Sequence, residues 1–216
     1  MPLHDTRIAD VRVHVLSAPL TQPFRWSFNR AERREGCIVE IVDESGETGW
    51  GECFGPAVLN AAVVNAYRTH LIGRDGFAID AIWQHLYNQF RDQGQKGLAI
   101  TALSGVDIAL WDLKGKRLGE PVHRLMGGPL RREVRAYATG TYRLDEGDPL
   151  DYVVKEVAGY AAEGFHAVKL KIGFDVKADA ALIRACRAAV GPDVGLMLDA
   201  NHGFDAIEAI KLGNMV

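Results

Sequence analysis

Residues 166–173 read HAVKLKIG, an apolar run typical of a buried β-strand that nevertheless carries two lysines. Side chains at positions i and i+2 of a strand lie on the same face, so Lys169 and Lys171 point one way and the apolar residues point the other. Lysines in this arrangement usually form a solvated face or protect an edge strand from aggregation. The pair alone therefore does not establish a functional site.

Residues 194–201 read VGLMLDAN and repeat the pattern, with Asp199 and Asn201 on one face. Lys169 and Asp199 are 30 positions apart (199 − 169), a spacing typical of a strand–helix repeat with parallel strands. Both polar pairs lie at the carboxyl end of their strand, the edge where α/β proteins bind ligands. A single aspartate there is commonly a turn residue or a helix cap. Two pairs in phase on successive strands instead favour a ligand site.

The chain changes its pattern near residue 130. Before it, short alternating runs joined by a glycine-containing turn predict an antiparallel sheet, and amphipathic stretches predict helices, which together indicate an α+β domain. After it, strands alternate with helices, which indicates a parallel sheet. The predicted strands are 11–15, 37–43, 50–53, 134–140, 166–173 and 194–201, and the predicted helices are 58–72, 79–90, 98–119, 149–163, one beginning after Asp175 and one beginning near Asp205.

Three strand–helix units cannot close an eight-stranded barrel, which takes about 250 residues. Residues 130–216 supply 87 (216 − 129). The sequence is thus compatible with a small open α/β sheet or with part of a longer protein, and we favour the second interpretation.

Composition excludes several classes of protein. The chain has 216 residues, a net charge of −3 and 48% hydrophobic residues, so it has no basic excess for nucleic acid. It contains no run of about 18 apolar residues that would cross a membrane, and the charged start is unlike a signal peptide. The odd, widely spaced Cys37, Cys53 and Cys186 indicate neither a disulfide framework nor a zinc site. We expect a cytoplasmic protein.

The polar residues predict a type of chemistry. A lysine beside a second cation has its pKa lowered, because each charge disfavours the other, and a neutral amine can remove a proton from carbon. The enolate that forms needs nearby positive charge, which a divalent metal ion supplies. Mg²⁺ prefers oxygen ligands, and Asp199 can provide one of them. One carboxylate does not complete a metal site.

These residues resemble the enolase superfamily. The combination of GVDIALWDLKGK at 105–116, the KLK strand and the DAN strand is similar to the mandelate racemase and muconate-lactonizing enzymes. WGECFGPAVLNAAVV and VRAYATGTY are similar to the acid-sugar branch, which includes galactarolactone cycloisomerases. The resemblance implies an α+β capping domain at residues 1–128 and the first three βα units of an incomplete (β/α) TIM-type barrel at residues 129–216.

The resemblance also implies roles for individual residues. In the predicted barrel these are Lys171 as the base, Lys169 as its neighbour, Asp199 as a Mg²⁺ ligand, and Asn201 and Thr139 as substrate-binding residues. Family members close the barrel with two loops of the capping domain, here expected near 21–29 and 52–57. Arg25 and Trp26 in the first loop are predicted to contact substrate, although Arg25 also fits an ordinary surface arginine.

The implied reaction is abstraction of the proton α to a carboxylate, through an enediolate, with Mg²⁺ as cofactor. The substrate is expected to be a small hydroxy acid or acid sugar that undergoes dehydration, cycloisomerisation or racemisation, and the protein is expected to be a homo-oligomer. Because the family's other metal ligands and its His–Asp pair belong on later strands, we expect the 216-residue chain to lack activity. A Schiff-base aldolase using Lys171 or Lys169, or a truncated product that only folds or oligomerises, remain alternatives.

Three other polar residues receive structural interpretations, and a fourth is left open. Asp107 and Asp112 lie in a predicted helix and are interpreted as caps or internal hydrogen-bond partners. His166 precedes the lysine strand at its far end, which favours a packing role. His202 follows Asn201 at the carboxyl edge and is left open between the two kinds of role.

Overall fold

The structure is a computed structural model that describes residues 6–216. These residues form two compact units, one containing the chain up to residue 18 and residues 34–130, the other containing residues 19–33 and 131–216. Residues 19–33 therefore belong with the second unit, whereas a single boundary after residue 128 would assign them to the first. The predicted domain boundary itself stays a prediction.

The first unit combines an antiparallel sheet with helices. Strand β2 (Asn29–Asp43) pairs with β3 (Thr48–Cys53) from Cys37 opposite Cys53 to Val42 opposite Thr48, and β2 also neighbours β1 (Ile8–Trp26). The alternating apolar pattern of residues 37–43 explains why this segment forms a strand, since its buried apolar side chains face the helices. In chain order the elements are β1 (Ile8–Trp26), β2 (Asn29–Asp43), β3 (Thr48–Cys53), α1 (Ala57–Leu71), α2 (Ile79–Gln89), α3 (Leu98–Leu118) and α4 (Val122–Leu125).

The helix α3 packs closely on β3. A Cβ atom at Gly51 would collide with the carbonyl oxygen of Gly105, so glycine at 51 allows the helix and strand backbones to approach. Asp112 on this helix accepts hydrogen bonds from the Trp50 backbone amide at 2.8 Å and from Lys116 at 2.6 Å. The interpretation of Asp112 as an internal hydrogen-bond partner is confirmed.

The second unit contains a three-stranded parallel sheet in the order β4 (Ala138–Thr139), β6 (Ala167–Lys171) and β7 (Gly195–Asp199). Strand β5 (Arg143–Leu144) pairs antiparallel with the far end of β1. Strand–helix alternation after residue 130 is confirmed, but the strand predicted at 134–140 is wrong in extent, because the described pairing covers only its last part. Its elements are β4 (Ala138–Thr139), β5 (Arg143–Leu144), α5 (Pro149–Ala162), β6 (Ala167–Lys171), α6 (Val176–Val190), β7 (Gly195–Asp199) and α7 (Ala206–Gly213).

The three helices begin where aspartates can cap them. The Asp148 side chain accepts a hydrogen bond from the Leu150 amide, and Asp175 caps α6 in the same manner. Asp205 forms a capping box with Glu208, in which each side chain bonds the other residue's backbone amide. These caps fix where each strand-to-helix turn ends.

The sheet of the second unit has two unlike faces. Val168, Leu170 and Ile172 are buried in the core formed with the helices, as strand alternation predicts. Lys169 and Lys171 therefore lie on the other face. The parity predicted from HAVKLKIG is confirmed.

The segment 21–29 is not the loop that we expected. Strand β1 continues to Trp26 and β2 begins at Asn29, so the segment is the tip of a long hairpin. Its partner β5 pairs with it at Phe24 opposite Leu144 and Arg25 opposite Arg143, and this pairing keeps the segment extended despite Pro23.

Among residues 6–216, no helix is long and apolar enough to span a membrane.

Candidate active site

Lys171 lies at the centre of the polar cluster. It is the last residue of β6, and the register places it directly beside Asp199, the last residue of β7. Its Nζ donates hydrogen bonds to Asp199 Oδ2 at 2.8 Å and to Asn201 Oδ1 at 2.9 Å. The side chain is only 8% exposed, so the ammonium is held by these partners within a largely desolvated setting.

Asp199 is shared between the two lysines. Lys169 Nζ lies 3.4 Å from the same oxygen, Oδ2, that Lys171 contacts. The pKa of Asp199 is lowered, chiefly by the hydrogen bond from Lys171, while partial burial opposes the shift. The structure thus brings Lys169, Lys171, Asp199 and Asn201 together, as the sequence predicted.

The expectation that the lysines would lower each other's pKa is wrong for Lys169. Its pKa is raised: burial lowers it, but hydrogen bonds and charge interactions with Asp199 and Tyr137 together outweigh burial. The reason is that the Asp199 carboxylate lies 3.4 Å from the Lys169 ammonium, a distance that the sequence pattern alone does not give. Attraction to Asp199, rather than repulsion within the lysine pair, dominates at this position.

The turn after β7 is built from residues with unusual backbone angles. Asn201 has φ +45° and His202 has φ +68°, in the left-handed region, which Asn and His enter more readily than most side chains. This turn lets the Asn201 amide donate to Asp199 Oδ1 at 3.1 Å while its own side chain meets Lys171. His202 is exposed beside them, and no described contact assigns it a catalytic role.

Aromatic rings line one side of the lysines. The Lys171 ammonium lies 5.3 Å from the centroid of the Tyr142 ring, and Lys169 lies 5.5 Å from that of Tyr137, both within cation–π range. Phe24 packs against Tyr142 with centroids 4.3 Å apart, and Trp26 meets it edge-on at 6.4 Å. Trp26, predicted as a substrate residue, is therefore connected to Lys171 through the Tyr142 ring.

Arg25 is placed away from this cluster. It lies between Phe24 and Trp26 in the strand and lines a cavity of about 360 Å³ with Arg143 and Phe174. Lys171 and Asp199 do not line that cavity. The structure thus separates the two hairpin residues that the sequence analysis had grouped.

Two threonines lie at or just beyond the end of β4, and the sequence analysis selected only the first of them. Thr139 pairs with Lys169 in the sheet and is exposed, at the edge where it was predicted. Thr141, which the sequence analysis did not select, is buried, and its hydroxyl accepts a hydrogen bond from the Lys171 backbone amide at 2.9 Å. No periodicity marks Thr141, because it lies beyond the end of the regular strand.

A second pair of charges supports the turn after β6. Asp179 on α6 receives the Arg143 guanidinium at 2.9 Å on one oxygen. Its other oxygen accepts the backbone amides of Gly173 and Phe174 at 2.7 and 3.0 Å. Asp179 thereby fixes the segment immediately following Lys171, a role that its position in the first turn of a helix did not reveal.

The hairpin tip is attached to the end of β7. The Ser27 hydroxyl donates to the Ala200 carbonyl oxygen at 2.5 Å. A Cβ at Gly173 or Gly203 would crowd the Ser27 side chain, and Gly173 also has φ +95°. These glycines allow the hairpin tip to lie against the two turns that carry the polar cluster.

The residues fit part of a Mg²⁺ site. Asp199 provides a partly exposed carboxylate, the type of hard oxygen ligand that Mg²⁺ requires, beside the amide oxygen of Asn201. Within residues 6–216, no group of three His, Cys, Asp or Glu side chains is placed to hold a metal ion. The described residues therefore offer one carboxylate ligand.

Comparison with known families decides the ancestry of the chain. Residues 8–127 match the N-terminal domain of mandelate racemase and muconate lactonizing enzymes, and residues 152–216 match the enolase C-terminal domain-like family. The chain belongs to the mandelate racemase/muconate lactonizing enzyme family. Its resemblance to the enolase superfamily, inferred above from the lysine and aspartate strands, is confirmed.

Two relatives carry names that refer to galactarolactone, talarate or galactarate. The chain is 52% identical over 208 residues to D-galactarolactone cycloisomerase of Agrobacterium fabrum, covering 96% of this chain and 55% of that protein. It is 38% identical over 180 residues to L-talarate/galactarate dehydratase of Salmonella typhimurium, covering 82% and 44%. The chain thus spans about half the length of these relatives.

Solved structures agree with the sequence relatives. The 3,6-anhydro-D-galactonate cycloisomerase from Zobellia galactanivorans matches with a TM-score of 0.85 at 33% identity, covering 97% of this chain and 55% of that one. L-talarate/galactarate dehydratase from Salmonella typhimurium, liganded with Mg and L-lyxarohydroxamate, matches with a TM-score of 0.84 at 31% identity, covering 96% and 55%. The fold of the N-terminal domain and part of the C-terminal barrel region is therefore that of the enolase superfamily.

Proposed function

We propose that this protein abstracts the proton α to the carboxylate of an acid sugar, with Mg²⁺ as cofactor. The observation that carries the proposal is the placement of Lys171 Nζ at 2.8 Å from Asp199 and 2.9 Å from Asn201, at the carboxyl ends of neighbouring parallel strands. An amine, a carboxylate and an amide at this edge provide a base, a metal ligand and a substrate contact. The names of the relatives supply the substrate class.

The chemistry of the chain's own residues follows from their positions. In its neutral amine form Lys171 takes the α-proton and becomes the ammonium, and the electron pair of the C–H bond moves into the carboxylate to give an enediolate. Bound Mg²⁺ supplies positive charge that lowers the cost of this negative charge. Lys169 lies beside the reacting carboxylate, and Asn201 donates its amide N–H to a hydroxyl or carboxylate oxygen. The Tyr142 ring, with Trp26 packed edge-on against it, covers one side of the Lys171 amine.

The enediolate leaves three outcomes open. Loss of a β-hydroxyl gives a dehydratase, return of the proton to the other face gives a racemase, and rearrangement of a lactone gives a cycloisomerase. The 52% identity to D-galactarolactone cycloisomerase favours a lactone or a galactarate as the first substrate to test. Thr139 and Arg25 remain candidates for substrate contacts, the former at the sheet edge and the latter in its separate cavity.

We further infer that residues 1–216 hold only part of the catalytic site and the first three βα units of a TIM-type barrel. The support is the lone carboxylate ligand and the span of about half of each relative. The proposed division places the capping domain at 1–128 and the barrel at 129–216. A homo-oligomer in the cytoplasm completes the proposal, and sedimentation of the purified protein tests the assembly.

A deuterium-exchange experiment tests the function. The product of the whole reading frame, and separately the 216-residue chain, are incubated with galactarate and D-galactarolactone in D₂O with Mg²⁺, and loss of the α-proton signal is followed by NMR. We expect exchange by the whole product, abolished by EDTA and restored by Mg²⁺, and none by the 216-residue chain. Borohydride trapping on Lys171 or Lys169 would instead establish a Schiff-base aldolase. Exchange by the 216-residue chain would refute the partial-site inference.

A further inference from the structure

Thr141 has a backbone conformation that its side chain disfavours. Its φ is +57°, in the left-handed region, where a β-branched residue is an outlier. Its side chain is buried, with a relative exposure of 1%. Such conformations persist where the surrounding structure enforces them, and they concentrate at functional sites.

Hydrogen bonds hold Thr141 in this conformation from the helix side. Its backbone amide donates to Glu156 Oε1 on α5 at 3.0 Å, and the Tyr160 hydroxyl donates to the same oxygen at 2.9 Å. A Cβ at Gly140 would collide with that Glu156 carboxylate and with the Tyr160 hydroxyl. Glycine at 140 therefore lets the backbone approach the carboxylate, which then fixes the amide of Thr141.

The Thr141 hydroxyl lies between the two lysines along β6. It accepts the Lys171 backbone amide at 2.9 Å and donates to the Lys169 carbonyl oxygen at 3.4 Å. Strand β4 ends at Thr139, so the hydroxyl replaces the backbone carbonyl that a longer strand would offer to Lys171. A buried amide without an acceptor is destabilising, so the end of β6 depends on this side chain.

We propose that Thr141 is a positioning residue for Lys171, linking the Glu156 carboxylate on α5 to the backbone of the base. The proposal rests on the function proposed above only in naming Lys171 as the base. Lys171 reaches Asp199 and Asn201 from the last position of its strand, so a shift of its backbone moves the ammonium relative to both. Small displacements of a reacting group have large effects on rate.

The chain provides a matched pair of threonines for the test. Thr141→Val removes the hydroxyl and keeps the shape, Thr141→Ser keeps the hydroxyl, and Thr139→Val makes the same change at the exposed position two residues earlier. Thr141→Gly removes the hydroxyl but adopts positive φ freely, so it separates hydrogen bonding from backbone conformation and serves if the valine variant fails to fold.

The first measurement is backbone amide exchange of Lys171 by NMR on the whole reading-frame product. We expect exchange to accelerate by at least about 10-fold in Thr141→Val and Thr141→Gly, and to stay within about 3-fold of wild type in Thr141→Ser and Thr139→Val. Protection of the Lys171 amide that survives loss of the hydroxyl would overturn the proposal.

The second measurement is steady-state kinetics of the whole reading-frame product. We expect Thr141→Val to lower kcat by about 10- to 100-fold with little change in KM, and Thr141→Ser to restore most of it. An unchanged kcat in Thr141→Val, or an equal loss in Thr141→Ser, would contradict a positioning role. Absence of α-proton exchange in the wild type would reject the proposed function, whereas the amide measurement would still decide whether Thr141 holds β6.

Discussion

Two aspartates of the second unit each meet a cation, and they do so under opposite conditions. The Asp179 side chain is fully buried, contacts Arg143 at 2.9 Å, and receives two backbone amides on its other oxygen. The Asp199 side chain is 26% exposed and meets Lys171 at 2.8 Å and Lys169 at 3.4 Å on one oxygen. Asp179 thus receives two backbone amides and one arginine, whereas Asp199 receives two lysine side chains and one backbone amide, that of Asn201.

The difference teaches how a structural pair and a reactive pair can be told apart. Removing one partner of a buried pair leaves the other charge without compensation, so Asp179 is expected to matter for folding. A pair whose carboxylate is partly exposed contributes less to stability, and that carboxylate is accessible to a ligand. Asp199 and Lys171 are therefore expected to matter for binding and chemistry.

The largest expected effect is the loss of the base. Lys171→Met in the whole reading-frame product should lower α-proton exchange by about 10²- to 10⁴-fold, the range for a general base. NMR in D₂O measures it. Lys155→Met, on the exposed face of α5, is the matched control and should leave exchange unchanged. Wild-type rates of α-proton exchange in Lys171→Met would contradict the assignment of Lys171 as the base.

The next effect concerns folding. Asp179→Ala should lower the free energy of unfolding by about 3–5 kcal/mol, because Arg143 stays buried without its counterion. Asp199→Ala should lower it by less, because the Asp199 carboxylate is 26% exposed and Lys171 keeps its hydrogen bond to Asn201 when that carboxylate is removed. Urea denaturation of the two variants measures both. Equal losses would show that the two carboxylates do not differ as their environments indicate.

Metal binding is expected to depend on the Asp199 carboxylate. Asp199→Asn should weaken the binding of Mn²⁺, used as a spectroscopic substitute for Mg²⁺, by at least about 10-fold in the whole reading-frame product. Electron paramagnetic resonance titration measures it. Asp145→Asn, which alters an exposed aspartate paired with Arg30, is the control and should leave binding unchanged. A similar affinity in Asp199→Asn would contradict the proposed ligand.

The smallest expected effect is in acid, in metal-free buffer with EDTA. The pKa of Asp199 is lowered, chiefly by its hydrogen bond to Lys171. A carboxylate with a lowered folded-state pKa contributes stability above its unfolded-state pKa of about 4, and that contribution is lost as the pH falls through the folded-state value. The difference in unfolding free energy between wild type and Asp199→Asn should therefore shrink below about pH 4. A difference that is constant down to pH 3 would be inconsistent with this coupling.

The predictable part of the fold is the part with local signals. Alternation within HAVKLKIG and VGLMLDAN predicted the faces on which Lys171 and Asp199 lie. The 30 positions between Lys169 and Asp199 are typical of one strand–helix repeat, which indicated that the two strands are parallel neighbours, as they are. Asp148, Asp175 and Asp205 marked helix starts because a cap acts on amides two or three residues away. All of these interactions depend on spacing that can be counted in the chain.

The part that sequence analysis missed depends on contacts between distant segments. Thr141 acts through a positive φ and a bond to β6, neither of which has a periodic signature. Arg143 and Asp179 are 36 positions apart and resemble an ordinary strand residue and a helix-start acid. Arg25 was grouped with Trp26 because a loop was expected, and an extended strand sends neighbouring side chains to opposite faces.

The bond from Ser27 to the Ala200 carbonyl has a consequence for the order of assembly. The two residues are 173 positions apart, so the hairpin tip is synthesised long before its partner. At about 5–20 residues per second, Ser27 waits roughly 9–35 seconds for Ala200 to be made. The hairpin tip can therefore take its place against the turn after β7 only after about 173 further residues have been made, so the first part of the chain must stay able to form this contact throughout that interval.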